Sequence, residues 1–251
     1  MNYATCKCMG ILGRLGNQMF QIAATVAYAL DNKKSYVFMP NQWEWQDYLK
    51  LPLKDVPYDN EVSESSIRFT DLPDKEGSVN VHGHLLSTQY FNHHKKHLTQ
   101  LLSLTPEWDK YINDKYPDLN TACSIHVRRG DFMEAGQVNN QGYMKLDYYK
   151  RAVNKLYSDT NIIKFVICSD DIEWCKANFD YPNIQFIEGN PDIIDLFIMS
   201  KCKNNVISNS SFGWWGAYLN QNKGHRVVAP RQWFVETHGW DDLYDDNWIV
   251  I

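Results

Sequence analysis

In the second half of the chain, short continuous apolar runs alternate with amphipathic stretches, and this rhythm predicts the elements. Ala122–Val127 reads as a strand, Leu146–Tyr157 as a helix and Ile162–Cys168 as a strand. Asp171–Phe179 follows as a helix, Ile184–Ile187 as a short strand and Asp192–Cys202 as a helix opening behind Pro191. Asn205–Ser208, Phe212–Asn220 and Arg226–Ala229 complete the series as strand, helix and strand. Strands alternating with helices imply βαβ units and a mostly parallel sheet, and unbroken apolar runs suit strands covered on both faces. The first half is less regular. Tyr3–Leu12 reads as a strand ending in a glycine turn, Asn17–Leu30 as a helix, Tyr36–Met39 and Val79–Leu85 as strands, and Tyr90–Leu102 and Pro106–Tyr116 as helices. Residues 41–78 show no clear period. Trp43, Trp45 and Tyr48 in that stretch fit either a sugar-stacking surface or a core. A boundary near Asp118–Asn120 gives domains 1–120 and 121–251, with the last ~20 residues free to pack back on the first half. The expected fold class is α/β, as two Rossmann-like halves facing across a cleft, where ligands commonly bind.

Bulk properties narrow the class. The chain has 251 residues, 44% hydrophobic and 22% charged, with a formal net charge of −5. A general basic surface for nucleic acid is therefore not expected. No apolar run approaches the ~18 residues needed to span a bilayer. The opening residues lack the basic and apolar regions of a signal peptide, so a cytoplasmic protein is expected, at most peripheral to a membrane. The six cysteines (Cys6, Cys8, Cys123, Cys168, Cys175, Cys202) form no CxxC pair, which argues against a disulfide framework or zinc site.

Four clusters carry candidate chemistry. His126-Val127-Arg128-Arg129-Gly130-Asp131 follows a strand, at the end where open α/β sheets hold ligands. Guanidinium groups there suit phosphate oxygens, and Asp131 fits either a general base or an arginine partner. Gly13-Arg14-Leu15-Gly16-Asn17-Gln18 joins a strand to a helix. Its glycines would let backbone approach a ligand, or it is a plain tight turn with Asn17 as N-cap. Ser169-Asp170-Asp171 follows another strand. One aspartate would cap the next helix, while paired acids could hold a ribose, a base or a metal. No Asp-x-Asp triplet occurs, which weighs against a metal. In Ser208-Asn209-Ser210-Ser211-Phe212-Gly213-Trp214-Trp215-Gly216, small polar residues open a helix whose free N–H groups suit a phosphate, and the two tryptophans read as core. His93, His94 and His97 have helical metal-ligand spacing, but Lys95 and Lys96 favour a solvated basic face.

Together these clusters resemble glycosyltransferase family 11, the bacterial α-1,2-fucosyltransferases. The resemblance rests on Gly13 to Gln21 (GRLGNQMFQ), His126 to Phe132 (HVRRGDF), Ser169 to Cys175 (SDDIEWC), Asp195 to Ser200 (DLFIMS) and Ser208 to Asn220 (SNSSFGWWGAYLN), in that order. Phe132 stands where the family usually has tyrosine, and Gly213 where serine is common.

The resemblance implies a GT-B fold whose C-terminal half binds the nucleotide sugar. It also implies a GDP-β-L-fucose donor and inverting transfer with no metal or other cofactor required. Arg128 matches the arginine that binds the diphosphate and stabilises the leaving group. His126 and Asp195 match guanosine contacts, Ser210, Ser211 and Phe212 match the phosphate-holding turn, and Asn17 matches a residue near the β-phosphate and fucose in protein O-fucosyltransferases. The expected catalytic set is Arg128, Asp131 and Asn17. The expected donor contacts add Gly13, Arg14, Gly16, His126, Asp170, Asp171, Asp195, Ser210, Ser211 and Phe212. The expected acceptor is O2 of galactose in an oligosaccharide or lipid-linked glycan. The alternatives are a GDP-sugar or glycan-binding module without catalysis, and a protein O-fucosyltransferase.

Overall fold

The computed structural model describes residues 1–134, 142–157, 164–234 and 240–251. The chain divides into two compact units, Met1–Asp109 and Lys110–Ile251. That division falls inside a helix, ahead of the boundary drawn from sequence.

The first unit holds a four-stranded parallel sheet. Its strands are β1 (Tyr3–Thr5), β2 (Ser35–Tyr36), β3 (Asn60–Ser63) and β4 (Val79–His82), in the order β2-β1-β4-β3. Helix α1 (Leu15–Asp31) is buried on nearly all sides, with Met19, Phe20, Ile22, Ala23 and Val26 inaccessible to solvent. An apolar circumference of that kind belongs to a central helix rather than a surface one. β1 is shorter than the apolar run from Tyr3 to Leu12 suggests. The Lys7 amide bonds to Asn80 Oδ1 at 2.8 Å, and the chain then turns through Gly10 and Gly13, both at φ +78°. Left-handed backbone is incompatible with a continuing strand. The Tyr90–Leu102 helix is also broken up. Residues Thr88–Tyr90 and Asn92–His94 form 3₁₀ turns, and α2 spans only Lys95–Leu101. Phe91, at φ −145°, leaves the helical region to pack edge-on against Phe20, so core packing overrides the local preference. β3 escapes sequence detection because it is an edge strand with only Val62 buried. Trp43 and Trp45 lie in the core, and Trp45 donates to Gln18 Oε1 at 2.7 Å. Tyr48 packs on Trp108 with ring centroids 4.7 Å apart. The core reading of Trp43 and Trp45 holds, and they offer no face for sugar stacking.

Helix α3 (Pro106–Lys115) leads into the second unit. There β5 (Ala122–Val127), β6 (Lys164–Ser169), β7 (Ile184–Phe186), β8 (Asn204–Val206), β9 (Val227–Ala229) and β10 (Ile249–Val250) form one sheet in the order β10-β9-β8-β5-β6-β7. Every pairing is parallel. The order runs outward in both directions from β5 and β8, so the topological switch point lies between their carboxyl ends. Residues Ile162 and Ile163 of the expected strand lie outside the described residues. The end of the chain supplies β10, an edge strand of this unit's own sheet.

The second unit's helices are α4 (Leu146–Tyr157), α5 (Ile172–Asn178), α6 (Asp192–Lys201) and α7 (Ser211–Tyr218). All six residues of β5 are buried, as a strand covered on both faces requires. Tyr148, Tyr149, Ala152, Val153 and Leu156 of α4 pack with Cys123, Ile125, Phe165 and Ile167. A buried polar knot also ties strand to helix. Asn205 Nδ2 donates to Ser124 Oγ (2.7 Å) and Met199 O (2.8 Å), and its Oδ1 accepts from Asn220 (2.7 Å). All six cysteines are free and buried. Among the described residues no helix is long and apolar enough to cross a membrane.

Helix α7 crosses α6 closely because Gly216 has no side chain. A Cβ there would lie 2.8 Å from Met199 Cε and 3.0 Å from Met199 Cβ. Gly216→Ala is therefore expected to lower stability by about 1–3 kcal/mol through overpacking. Urea denaturation checks this, and an unchanged midpoint would contradict the close crossing.

Candidate functional site

The site is built on the switch point of the second unit. On one side β5 delivers His126 and, just beyond the strand, Arg128. On the other side the chain leaving β8 runs through Ser208 to the start of α7. His126 joins the two sides. Its Nδ1 lies 2.9 Å from Ser208 Oγ, and its ring lies 5.3 Å from that of Phe212. Gly213 makes room for this ring, because a Cβ there would come within 2.4 Å of His126 Nδ1.

Arg128 is held by two carboxylates. Its Nη2 lies 2.6 Å from Asp131 Oδ1 and its Nη1 2.9 Å from Asp170 Oδ2, with the side chain 16% exposed. The guanidinium also lies over the Phe132 ring, 5.3 Å from its centroid, so the phenylalanine needs no hydroxyl to hold it. Among the described residues the buried Arg128 Nε has no hydrogen-bond partner. A buried donor left without an acceptor costs about 1–3 kcal/mol, which an incoming anion would recover.

The paired acids hold arginines in the structure. Asp170 Oδ1 accepts from the Arg129 amide at 2.8 Å while its other oxygen takes Arg128. Asp171 caps α5 by accepting from the Trp174 amide, and pairs with Arg129 Nε at 3.1 Å. Arg129 in turn stacks on Trp174, 4.0 Å from its ring centroid. The sequence places this acidic pair beside the arginines but does not reveal that it grips them. The signal was there in register: Val127 at the end of β5 pairs with Ser169, which places Arg128 and Asp170 side by side.

At α7 the N-cap is Ser210, extended at φ −138°, and its side chain does not cap the helix. Ser210 is buried, while Ser211 and Phe212 are half-buried. A helix start not capped by its own serine presents amide N–H groups and the positive end of the dipole. Asp195 sits in the first turn of α6, half-buried, and accepts from Asn190 Nδ2 at 2.8 Å. Burial pushes its pKa up to about 6, against the opposing pull of the Asn190 hydrogen bond. Asn190 itself bonds to the Tyr116 hydroxyl. Asn190 is a supporting residue that sequence reasoning did not single out, and Ser208 and Gly213 entered only as members of a motif, since small or amide side chains carry no charge signal.

The glycine loop belongs to the first unit. Helix α1 starts two residues before Asn17, so Asn17 lies in its first turn and Arg14 is the N-cap, without a side-chain capping bond. The expectation of Asn17 as N-cap is corrected accordingly. Gly13 is exposed, and a Cβ on it would meet Asn17 Nδ2 at 2.3 Å. Gln18 and Gln21 donate to Gly13 O and Leu12 O, fastening the loop to the helix. Arg14 is exposed and Gly16 buried.

His126 is neutral across the physiological range. Burial pushes its pKa from 6.5 down to about 3, and the charge of Arg128 adds to the effect. A folded-state pKa below the unfolded one gives stability that is whole above pH 6.5 and is lost as pH falls toward 3. Asp195, raised from 3.8 to about 6, acts in the opposite sense and masks the trend in the wild type alone. The stability difference between wild type and His126→Gln isolates it. That difference is expected to shrink by about 2 kcal/mol from pH 7 to pH 5 in urea titrations. A difference independent of pH would mean that the imidazole is not buried as a neutral group.

Comparison with known proteins bears on what this arrangement belongs to. Residues 118–251 match Glycosyl transferase family 11. The chain is 34% identical over 154 residues to the O-antigen biosynthesis glycosyltransferase WbnK of Escherichia coli, covering 59% of this chain and 50% of that protein. It is 35% identical over 191 residues to an Escherichia coli alpha-1,2-colitosyltransferase, covering 70% and 63%. It is 26% identical over 245 residues to galactoside alpha-(1,2)-fucosyltransferase 2 of Oryctolagus cuniculus, covering 83% and 65%. The chain thus spans between half and two thirds of the length of these relatives. Among solved structures, NodZ alpha-1,6-fucosyltransferase shares the fold at TM-score 0.56 and 12% identity, over 87% of this chain and 92% of that one. The two α/β units are of the GT-B class found in such fucosyltransferases. The sequence match and the parallel-sheet architecture agree, and the chain belongs to glycosyltransferase family 11.

Proposed function

We propose that this protein transfers L-fucose from GDP-β-L-fucose, with inversion, to a glycan hydroxyl, most specifically O2 of a galactose, without a metal ion. The observation that carries this reading is the switch point of the second sheet. Arg128 and the α7 amino terminus stand at the ends of the two neighbouring strands that flank it, linked through His126.

The chemistry follows from charge. An acceptor oxygen attacks the anomeric carbon as the bond from that carbon to the β-phosphate oxygen breaks. Negative charge grows on the phosphate, where the Arg128 guanidinium and the N–H groups of Ser211 to Gly213 would stabilise it. Asp170 fixes the plane of the guanidinium. The Arg128–Asp131 contact of 2.6 Å favours Asp131 as a second holder of that plane over a general base. On this reading Asp170 and Asp171 serve the donor indirectly, through the arginines. His126 and Asp195 would contact the guanosine. In the first unit, which would serve the acceptor, Gly13, Arg14 and Gly16 shape the loop and Asn17 takes the place near the β-phosphate and fucose. In place of a metal, the fixed Arg128 guanidinium and the amides at the start of α7 would meet the charge that grows on the diphosphate.

The acceptor class, a galactose-containing oligosaccharide or lipid-linked glycan, is supported by the galactoside and O-antigen relatives. A second reading, colitose in place of fucose, is supported by the colitosyltransferase relative. Competing the two GDP-sugars for one acceptor separates them. Release of GDP from either GDP-sugar in the presence of lactose separates an enzyme from a non-catalytic binding module.

Arg128→Ala is expected to lower kcat/KM with GDP-fucose by about 100- to 1000-fold, the usual loss on removing one preorganised donor. Near-normal turnover in a folded variant would contradict the leaving-group role. Turnover is also expected to persist unchanged in excess EDTA, and strict dependence on added Mn²⁺ or Mg²⁺ would overturn the metal-free reading.

A further inference from the structure

One cluster in the first unit is unused by the chemistry above. The 3₁₀ turn Asn92–His94 runs directly into α2, and both of its histidines reach Asp31, the last residue of α1. His93 Nε2 lies 3.0 Å from Asp31 Oδ2, and His94 Nε2 lies 2.7 Å from Oδ1. The two imidazoles are neighbours, with ring centroids 4.3 Å apart. One ligand atom from each of the three residues lies within 4.8 Å of the others. His97, the third histidine of the sequence motif, is engaged elsewhere, with Nε2 2.9 Å from the Tyr36 hydroxyl. The fold thus replaces it with a carboxylate brought from a residue 62 positions before His93.

Two further points favour a cation here. Asp31 stands at the carboxyl end of a 17-residue helix that has no basic residue in its last turn. The dipole's negative end adds to the carboxylate charge. The side chains are 46% (Asp31), 49% (His93) and 26% (His94) exposed, so an ion could enter and keep water as a further ligand. Two imidazoles and one carboxylate select a transition metal of the zinc class over Ca²⁺ or Mg²⁺, which prefer all-oxygen sets. Zinc at about 2.0–2.2 Å from each ligand, in tetrahedral geometry, separates ligand atoms by roughly 3.3–3.6 Å. Asp31 Oδ1 lies 2.7 Å from His94 Nε2 and 3.2 Å from His93 Nε2, so these contacts need to open only slightly for an ion to replace the hydrogen bonds.

We propose that Asp31, His93 and His94 form a Zn²⁺ site that pins the end of α1 to the turn preceding α2. It is a structural clamp of the first unit, independent of the donor chemistry. Untagged protein stripped with EDTA and then freed of chelator is titrated with ZnCl₂ by calorimetry, and melting is followed with and without Zn²⁺. One equivalent is expected to bind with micromolar or tighter affinity and to raise the melting temperature. His94→Ala and Asp31→Asn are each expected to weaken binding at least about tenfold, the scale on which metal-site changes act. His93→Gln serves as a milder third variant should either fail to fold, and His97→Gln is expected to bind as wild type does. Three results would overturn the proposal: no saturable binding, unchanged affinity in the folded Asp31 and histidine-94 variants, or a loss in His97→Gln equal to that in His94→Ala.

Discussion

The ion-paired guanidinium of Arg128, at the carboxyl end of β5, is the constraint around which the second unit is arranged. A charge mostly removed from water is tolerated only when paired and hydrogen-bonded. Asp131 and Asp170 supply the pairs, and the phenylalanine ring of residue 132 lies against the guanidinium. Two carboxylates from different loops fix the position of the guanidinium as well as its charge. Asp170 comes from the loop after β6 and Asp131 from the turn after β5, so the two strands must stay in register for the arginine to be held. That register is secured by six consecutive residue pairs between β5 and β6.

The same region shows how a buried sheet serves chemistry. β5 can be a continuous buried strand because α4 covers one face and the polar knot of Asn205, Ser124 and Asn220 ties down the other elements. Besides Ser124, His126 is the polar residue of that strand, 4% exposed, kept neutral and hydrogen-bonded to Ser208. Its neutrality matters because a second positive charge beside Arg128 would be repelled. As an uncharged ring it can pack against Phe212 and set the distance between the strand end and the helix start.

Much of this was legible in the sequence, and the limits are physical. β5 and α4 have the bounds expected from their apolar pattern, because in both cases burial dictates the residues. β3 and β10 were missed since short edge strands bury too little to leave a period. The broken helix around Phe91 reflects a single side chain drawn into the core, an event decided by a partner at Phe20, far away in sequence. The two tryptophans near residue 45 were ambiguous because aromatic residues look alike in a core and on a sugar platform; only the Gln18 contact and the burial distinguish them. The charged motif at residues 126–131 was plain from composition. What composition cannot show is that Asp170 and Asp171 turn toward Arg128 and Arg129, a fact set by strand pairing.

Counting charge sharpens the proposed mechanism. Arg128 and Arg129 face Asp131, Asp170 and Asp171, so this cluster is not a pool of positive potential for a diphosphate. Bulk attraction cannot be the main source of leaving-group stabilisation. What remains is direction: a guanidinium plane fixed in advance, with its buried Nε unmatched among the described residues, and a helix start whose amides point one way. Preorganised dipoles of this sort act most where charge appears during the reaction, since they need not reorient to meet it. The acids therefore do not weaken the site. They trade net charge for rigidity, and they leave the new charge on the phosphate as the one that completes the arrangement.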